Sequence, residues 1–184
     1  MLINLVGNKD YFKEDPNGFE LKIKGELAKK LLEGFSELPE LQGYKLMGLT
    51  FQHSSEASDS IPDVQDSDLE LLGGEAKVYH EIICGNKFEV SNSCFLQVNS
   101  EQMDKMYNYV HQMAKLDNNT VLLDICSGIG TIGLSVGQEC KKIIGIEMVK
   151  SSCENAEKNA KANGKEGLYT VICGKVEDVI EEVV

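Results

Sequence analysis

The chain has 184 residues, 42% of them hydrophobic, which is enough for one well-packed domain and part of another. Its formal net charge is −12 and its pI about 4.7, and all 18 basic residues are lysines, so the chain alone lacks the arginine-bearing basic face of a nucleic-acid binder. No apolar run reaches the roughly 18 residues of a membrane span, and the apolar start, Met1 to Gly7, has no basic stretch before it and does not read as a signal peptide.

Met1 to Val6 reads as a strand, and Asp15-Pro-Asn-Gly18 as a turn. From Leu21, the apolar residues Leu27, Leu31, Leu32 and Phe35 recur at helical spacing and predict an amphipathic helix that ends before Pro39. Tyr44 to Phe51 reads as a second strand. Ser54 to Glu70 carries six acids and no base, and its first part (near 54–67) is expected to be an exposed, mobile loop. Leu69–Leu72, Lys77–Ile83 and Lys87–Val90 read as three short strands of one small antiparallel sheet, with turns at Gly73-Gly74 and Gly85-Asn86. Residues 1–94 thus form a small α+β region, and 95–184 a second region of different character.

In that second region Asn99 is a predicted N-cap, with Gln102 placed to complete a capping box. The stripe Met103, Met106, Tyr107, Val110, Met113 and Ala114 predicts a helix packed into the core along that face. Val121 to Asp124 reads as a buried strand, followed by a glycine turn and a helix opening near Thr131. Lys142 to Glu147 is the next strand. Ser151-Ser-Cys-Glu154 reads as a capping box opening a helix with Cys153, Ala156 and Ala160 on one face, stopped by Asn163-Gly164. Leu168 to Cys173 is a third strand, with a helix starting near Val176. Alternating strands and helices of this size imply parallel strands with crossover helices, as in half of a doubly wound α/β sheet. The six cysteines form no C-x-x-C pair and read as reduced thiols of a cytoplasmic or nuclear protein; no metal site is expected.

The chemistry concentrates in Val121-Leu-Leu-Asp-Ile-Cys-Ser-Gly-Ile-Gly-Thr-Ile-Gly133. A strand, a glycine turn and a helix N-terminus together can bind a nucleotide-like molecule. Gly128-x-Gly130-x-x-Gly133 has the form of the dinucleotide fingerprint, which also occurs as a purely structural turn. The ligand is narrowed by Asp124, which ends the strand with three residues between it and Gly128. A carboxylate there opposes a pyrophosphate and suits a cationic ligand, so S-adenosylmethionine is favoured over NAD. Glu147, ending the next strand, is placed to accept hydrogen bonds from ribose hydroxyls, a role NAD enzymes share.

Three segments resemble the RNA 5-methyluridine (uracil-C5) methyltransferases, most of all their eukaryotic tRNA branch. They are Phe88-Glu-Val-Ser-Asn-Ser-Cys-Phe-Leu-Gln-Val-Asn99, similar to the family's F-x-(I/V)-S-x-x-x-F-x-Q-x-N; Leu123 to Leu134; and Gly145-Ile-Glu-Met-Val-Lys-Ser-Ser-Cys-Glu-Asn-Ala156 with Asn159 to Gly164. The resemblance implies a partial class I (Rossmann-like) S-adenosylmethionine-dependent methyltransferase fold preceded by a middle-domain-like α+β region. It implies cofactor contacts from Gln97, Cys126 (where the family usually has an aromatic residue), Gly128, Thr131 and Glu147, with Lys175 near the adenine edge. The implied substrate of the full-length enzyme is RNA, in particular tRNA.

The family's chemistry uses a cysteine thiolate that adds to C6 of uracil and a general base that removes the C5 proton. Both follow a P-P-R strand end, which this sequence does not contain, and no cysteine here is assigned as nucleophile. The chain is therefore expected to be a shortened family member that binds RNA weakly or not at all, with an open apolar sheet edge beside the Val121 strand. A non-catalytic module that binds a partner through this edge is the alternative. A small-molecule methyltransferase or NAD enzyme is the third reading.

Overall fold

The computed structural model describes residues 2–8, 19–39, 48–54, 69–74, 77–91 and 94–183. The chain divides into two compact units, Met1–Tyr79 with Ser91–Ser93, and His80–Val90 with Cys94–Val184.

The first unit contains β1 (Leu2–Asn8), α1 (Phe19–Glu37), β2 (Gly48–Ser54) and β3 (Leu69–Gly74), with sheet order β1-β2-β3. β1 and β2 are parallel, with α1 between them in sequence, and β3 is antiparallel to β2. Leu49 and Phe51 of β2 and Ala28 of α1 are buried. The expected turn at Gly73-Gly74 is not one: both glycines end β3, opposite Leu49 and Gly48. Gly73 serves packing instead, since a Cβ there would come within 2.7 Å of Leu32 Cδ1. The strand therefore belongs with β2, and the single antiparallel sheet expected over 69–90 does not form. The turn at 15–18 and the acidic stretch beyond Ser54 lie outside the described residues.

The second unit opens with His80 to Val90, the greater part of the hairpin of β4 (Val78–Ile83) and β5 (Asn86–Ser91). Its turn is Cys84-Gly85, one residue earlier than expected, with φ of 47° and 78°. Positive φ at both central residues is what a two-residue type I′ turn requires. Cys84 tolerates it with support from the next helix, where Asp104 Oδ1 accepts its backbone N–H at 2.9 Å. The sequence pattern grouped this hairpin with the first region. Hydrogen bonds group it with the second: Asn163 and Asn159 pair with the backbone of Lys87 and Glu89, and Lys165 Nζ donates to Asn86 Oδ1 at 2.6 Å and to the Leu134 carbonyl at 3.0 Å.

α2 (Ser100–Ala114) starts where expected, with Asn99 Oδ1 accepting the Gln102 N–H at 3.0 Å. Its apolar stripe is only half used. Met103 and Tyr107 are buried, but Met106, Val110 and Met113 are 44%, 40% and 64% exposed. The helix instead seats through polar contacts to the following helix: Tyr107 Oη lies 3.3 Å from Thr131 Oγ1, and His111 Nδ1 donates to the Val136 carbonyl at 2.8 Å.

The elements β6 (Val121–Ile125), α3 (Thr131–Val136), β7 (Lys142–Glu147), α4 (Lys150–Ala162) and β8 (Tyr169–Cys173) follow, then α5 (Val176–Val179) and a 3-10 turn at Ile180–Glu182. The sheet order is β6-β7-β8, with both pairings parallel, as the β-α-β-α-β pattern implies. Leu134, Ile143, Ile146, Ala156 and Ala160 form its core, each large side chain contributing about 1.5–3 kcal/mol through burial. β6 pairs with β7 alone among the described residues, and Val121 and Ile125 on it are half exposed, so this edge is open and apolar. The capping box at Ser151 is not formed. α4 begins at Lys150, Ser151 is buried in its first turn, and the Glu147 carboxylate takes up the Val149 N–H. Among the described residues, no helix is long and apolar enough to cross a membrane.

Replacing Asn99 by Ala leaves the Gln102 N–H without its acceptor. We expect a loss of about 1 kcal/mol in urea unfolding, and an unchanged midpoint would show that the cap contributes nothing.

Candidate functional site

The C-terminal ends of β6 and β7 lie side by side, with Asp124 in register with Gly145 and Ile125 with Ile146. Each strand carries a buried carboxylate there, Asp124 and Glu147. Among the described residues neither is in an ion pair. Both are met by backbone N–H groups, Glu147 from the loop that joins β6 to α3 and from Val149, and Asp124 from the first turn of α3.

Glu147 Oε2 accepts the Gly128 N–H at 2.9 Å, and Oε1 accepts the Val149 N–H at 2.9 Å. A carboxylate oxygen has two acceptor positions, so each oxygen keeps one for a further donor. Asp124 Oδ2 accepts the Gly133 N–H at 2.8 Å, in the first turn of α3. This helix starts from Gly130, whose φ of 81° suits glycine. Gly133 has to be glycine for a different reason. A Cβ on it would sit 2.8 Å from Asp124 Oδ2 and 3.0 Å from Ile143 Cγ2. The third glycine of the fingerprint thus lets helix and sheet approach closely.

The loop between is held from several sides. The Ser127 N–H donates to the Ile146 carbonyl at 3.0 Å, and the Gly130 N–H to the Ser127 carbonyl at 2.9 Å. Beneath it sits Tyr169, whose hydroxyl is pushed up to about 12 by burial, so it stays neutral. The Ser127 hydroxyl, buried like that of the tyrosine, opposes this rise.

The structure ties four of the five expected contact residues into this unit. Gly128 and Glu147 are bonded to each other. Cys126 stands exposed at the loop's start with φ of 60°, an uncommon backbone state for a residue with a side chain. Thr131 is buried and shares its hydroxyl with Tyr107, so it holds helices together. Gln97 is exposed in the stretch before α2 and is bonded to none of the others among the described residues. Asp124 is the main revision. Its carboxylate is not simply presented to a ligand; one oxygen anchors α3. Three residues were missed. Tyr107 belongs to the apolar stripe of α2, Tyr169 lies within the third strand, and Asn159, which reaches the Ile129 carbonyl at 3.2 Å, opens the Asn159-to-Gly164 segment. A buried-face asparagine was the available signal for the last.

The family described as tRNA (Uracil-5-)-methyltransferase matches residues 81–177. An RNA methyltransferase of Staphylococcus aureus (strain N315), described as uncharacterized, is 32% identical over 164 residues, covering 89% of this chain and 33% of that protein. The human tRNA (uracil-5-)-methyltransferase homolog A is 32% identical over 129 residues, covering 70% of this chain and 20% of that protein. The chain thus spans a third or less of the length of these relatives. Among solved structures, the Pyrococcus abyssi tRNA (uracil-54, C5)-methyltransferase in complex with S-adenosyl-L-homocysteine aligns with a TM-score of 0.51 at 17% identity, over 70% of this chain and 31% of that one. At that identity the likeness establishes a shared fold, the class I methyltransferase fold of which β6 to β8 form part.

Burial raises the Asp124 carboxyl above its ordinary range; the Gly133 N–H opposes this, and the Glu147 charge adds to it. A carboxyl raised in the folded state binds its proton more tightly there than in the unfolded chain. Its contribution to stability is fully present below its ordinary value of 3.8 and is lost as pH rises through the folded value. Asp124→Asn keeps an oxygen for the Gly133 N–H and removes that loss. Its thermal unfolding temperature should match wild type in acid and exceed it at neutral pH. A variant less stable than wild type at neutral pH would show that the ionised form is the stabilising one.

Proposed function

The chain belongs to the tRNA (uracil-5-)-methyltransferase family, and on that footing we propose that it is the S-adenosylmethionine-binding portion of an RNA uridine-C5 methyltransferase, whose full-length form converts uridine in tRNA to 5-methyluridine. The observation that carries this reading is Glu147. Its two oxygens are pinned 2.9 Å from the N–H groups of Gly128 and Val149, and each retains an acceptor position. A fixed pair of acceptors at a strand's end suits the two adjacent hydroxyls of a ribose. With Asp124 beside it, the site is anionic, which disfavours a pyrophosphate and favours a cationic sulfonium and ammonium.

S-adenosylmethionine would supply an electrophilic methyl group. The chain's own residues hold and orient it. Glu147 would hold the ribose, with the loop from Cys126 to Gly130 beside it, and Gln97, being exposed, would be able to approach. Thr131 positions α3 through Tyr107 and needs no ligand contact. Asp124 contributes negative charge while its Oδ2 keeps α3 in place.

The thiols fit a donor-binding role better than a nucleophilic one. Burial pushes Cys153 up to about 12, helped by its neighbour Cys173, and burial also raises Cys84 and Cys140. Such thiols are not thiolates at neutral pH. In the proposed reading, the nucleophile and base that act on uracil are supplied by other parts of the full-length enzyme. The six cysteines are reduced thiols, which agrees with a cytoplasmic or nuclear setting.

A second reading is a non-catalytic module that pairs with a partner through β6. Half-exposed Val121 and Ile125 on that edge strand favour it. It predicts concentration-dependent association in sedimentation, and a monodisperse monomer with no bound partner counts against it.

Calorimetric titration separates the ligands. S-adenosylhomocysteine should bind weakly but measurably to the chain, NAD should not, and Glu147→Gln should weaken binding at least tenfold, as expected for loss of a charged acceptor worth about 1.5–3 kcal/mol. No methyl transfer to tRNA is expected from the chain alone. Tighter binding of NAD, or transfer by the isolated chain, would overturn the reading.

A further inference from the structure

A polar residue on the apolar face of a helix needs a physical reason, and α4 carries one at its centre. Asn159 is 1% exposed and stands beside Ala156 and Ala160. Asn163 follows one turn later as the helix C-cap. Four residues of helix rise about 6 Å, and two residues of strand about 6.6 Å. Carboxamides at i and i+4 on α4 can therefore meet alternate peptide groups of β5, and they do. Asn163 Oδ1 accepts the Lys87 N–H, and its Nδ2 donates to the Lys87 carbonyl, both at 2.8 Å. Asn159 Oδ1 accepts the Glu89 N–H at 2.8 Å, and its Nδ2 donates to the Glu89 carbonyl at 3.4 Å. The two side chains act on β5 as a neighbouring strand would.

Asn159 has one contact that Asn163 lacks. Its Nδ2 also donates to the Ile129 carbonyl at 3.2 Å. Ile129 lies between Gly128 and Gly130, both at positive φ, where the backbone is least restrained by its own side chains. The residue just before it, Gly128, is the one whose N–H meets Glu147.

We propose that Asn159 is a positioning residue for the glycine loop: it holds the Ile129 carbonyl, and through it the Gly128 N–H on Glu147, and so links the seating of the β4–β5 hairpin to the shape of the site. Asn163 seats the hairpin without touching the loop and is the internal control. The loop's role in holding a ligand rests on the donor-binding reading above; its shape does not.

Amide hydrogen exchange by NMR on the full chain tests this without a ligand. Asn159→Ala should speed exchange of the Gly128 and Gly130 N–H groups about fivefold or more, the effect of one lost hydrogen bond. Asn163→Ala should lower the unfolding temperature yet leave those two amides unchanged. Equal acceleration in both variants, or none in either, would overturn the proposal. If Asn159→Ala does not fold, Asn159→Asp takes its place, because it keeps the shape and the acceptor for Glu89 while removing the donor to Ile129. In titrations with S-adenosylhomocysteine, affinity should fall at least fivefold in the Asn159 variant and less than twofold in Asn163→Ala. A wild-type chain that fails to bind S-adenosylhomocysteine would sink the donor-binding reading and leave the exchange comparison to decide the role of Asn159.

Discussion

Glu147 gives one carboxylate oxygen to the Gly128 N–H and the other to that of Val149, and the geometry at this end of the sheet follows from that. A buried carboxylate without a cation must be met by hydrogen-bond donors. Here the donors are the backbone of the glycine loop on one side and of the start of α4 on the other. Asp124 does the same with the first turn of α3. The loop is therefore shaped by the acids at the ends of two neighbouring strands, and α4 needs no capping side chain of its own. Glycine at 133 is part of the same arrangement, since any side chain there would meet the Asp124 carboxylate.

Polar groups also decide what the hairpin packs on. Cys84 is held by Asp104, Asn86 by Lys165, and the free edge of β5 by two asparagines of α4. Lys165 is itself partly desolvated, which lowers its pKa, and its ammonium is met by the Asn86 oxygen and the Leu134 carbonyl. These bonds join residues far apart in sequence, so the hairpin and the glycine loop depend on one network. In the proposed reading, that network keeps the donor site in shape.

Among the described residues, exposed apolar side chains include Met106, Val110 and Met113 on α2, Val121 and Ile125 on the edge strand β6, and Phe95 and Val98 just before α2. Neither the acidic net charge nor the lysine-only basic complement marks this chain as an RNA-binding surface. Both features are consistent with the proposed reading of the chain as a methyl-donor site.

Local pattern determined much of this protein. The apolar runs at Val121, Lys142 and Leu168, the glycine turn, the Asn99 cap and the Asn163-Gly164 stop all lie where the structure has them, because each depends on neighbours within a few residues. The family was legible for the same reason: Gln97, the glycine loop and Glu147 stand at fixed spacings along the chain. Only the tertiary structure decided the rest. Periodicity could not tell that α2 buries Met103 and Tyr107 and leaves Met113 in the open, since a stripe shows which residues could be buried but not what lies opposite. Nor could it separate Gly73, which makes room for Leu32, from a turn glycine, or show that Ser151 yields its capping role to Glu147. The place of Asn159 on the apolar face of its helix was a local sign that it has partners, but not of which ones. Its partners, Glu89 and Ile129, lie 70 and 30 residues away, and a hydrogen bond over that separation exists only once the chain has folded.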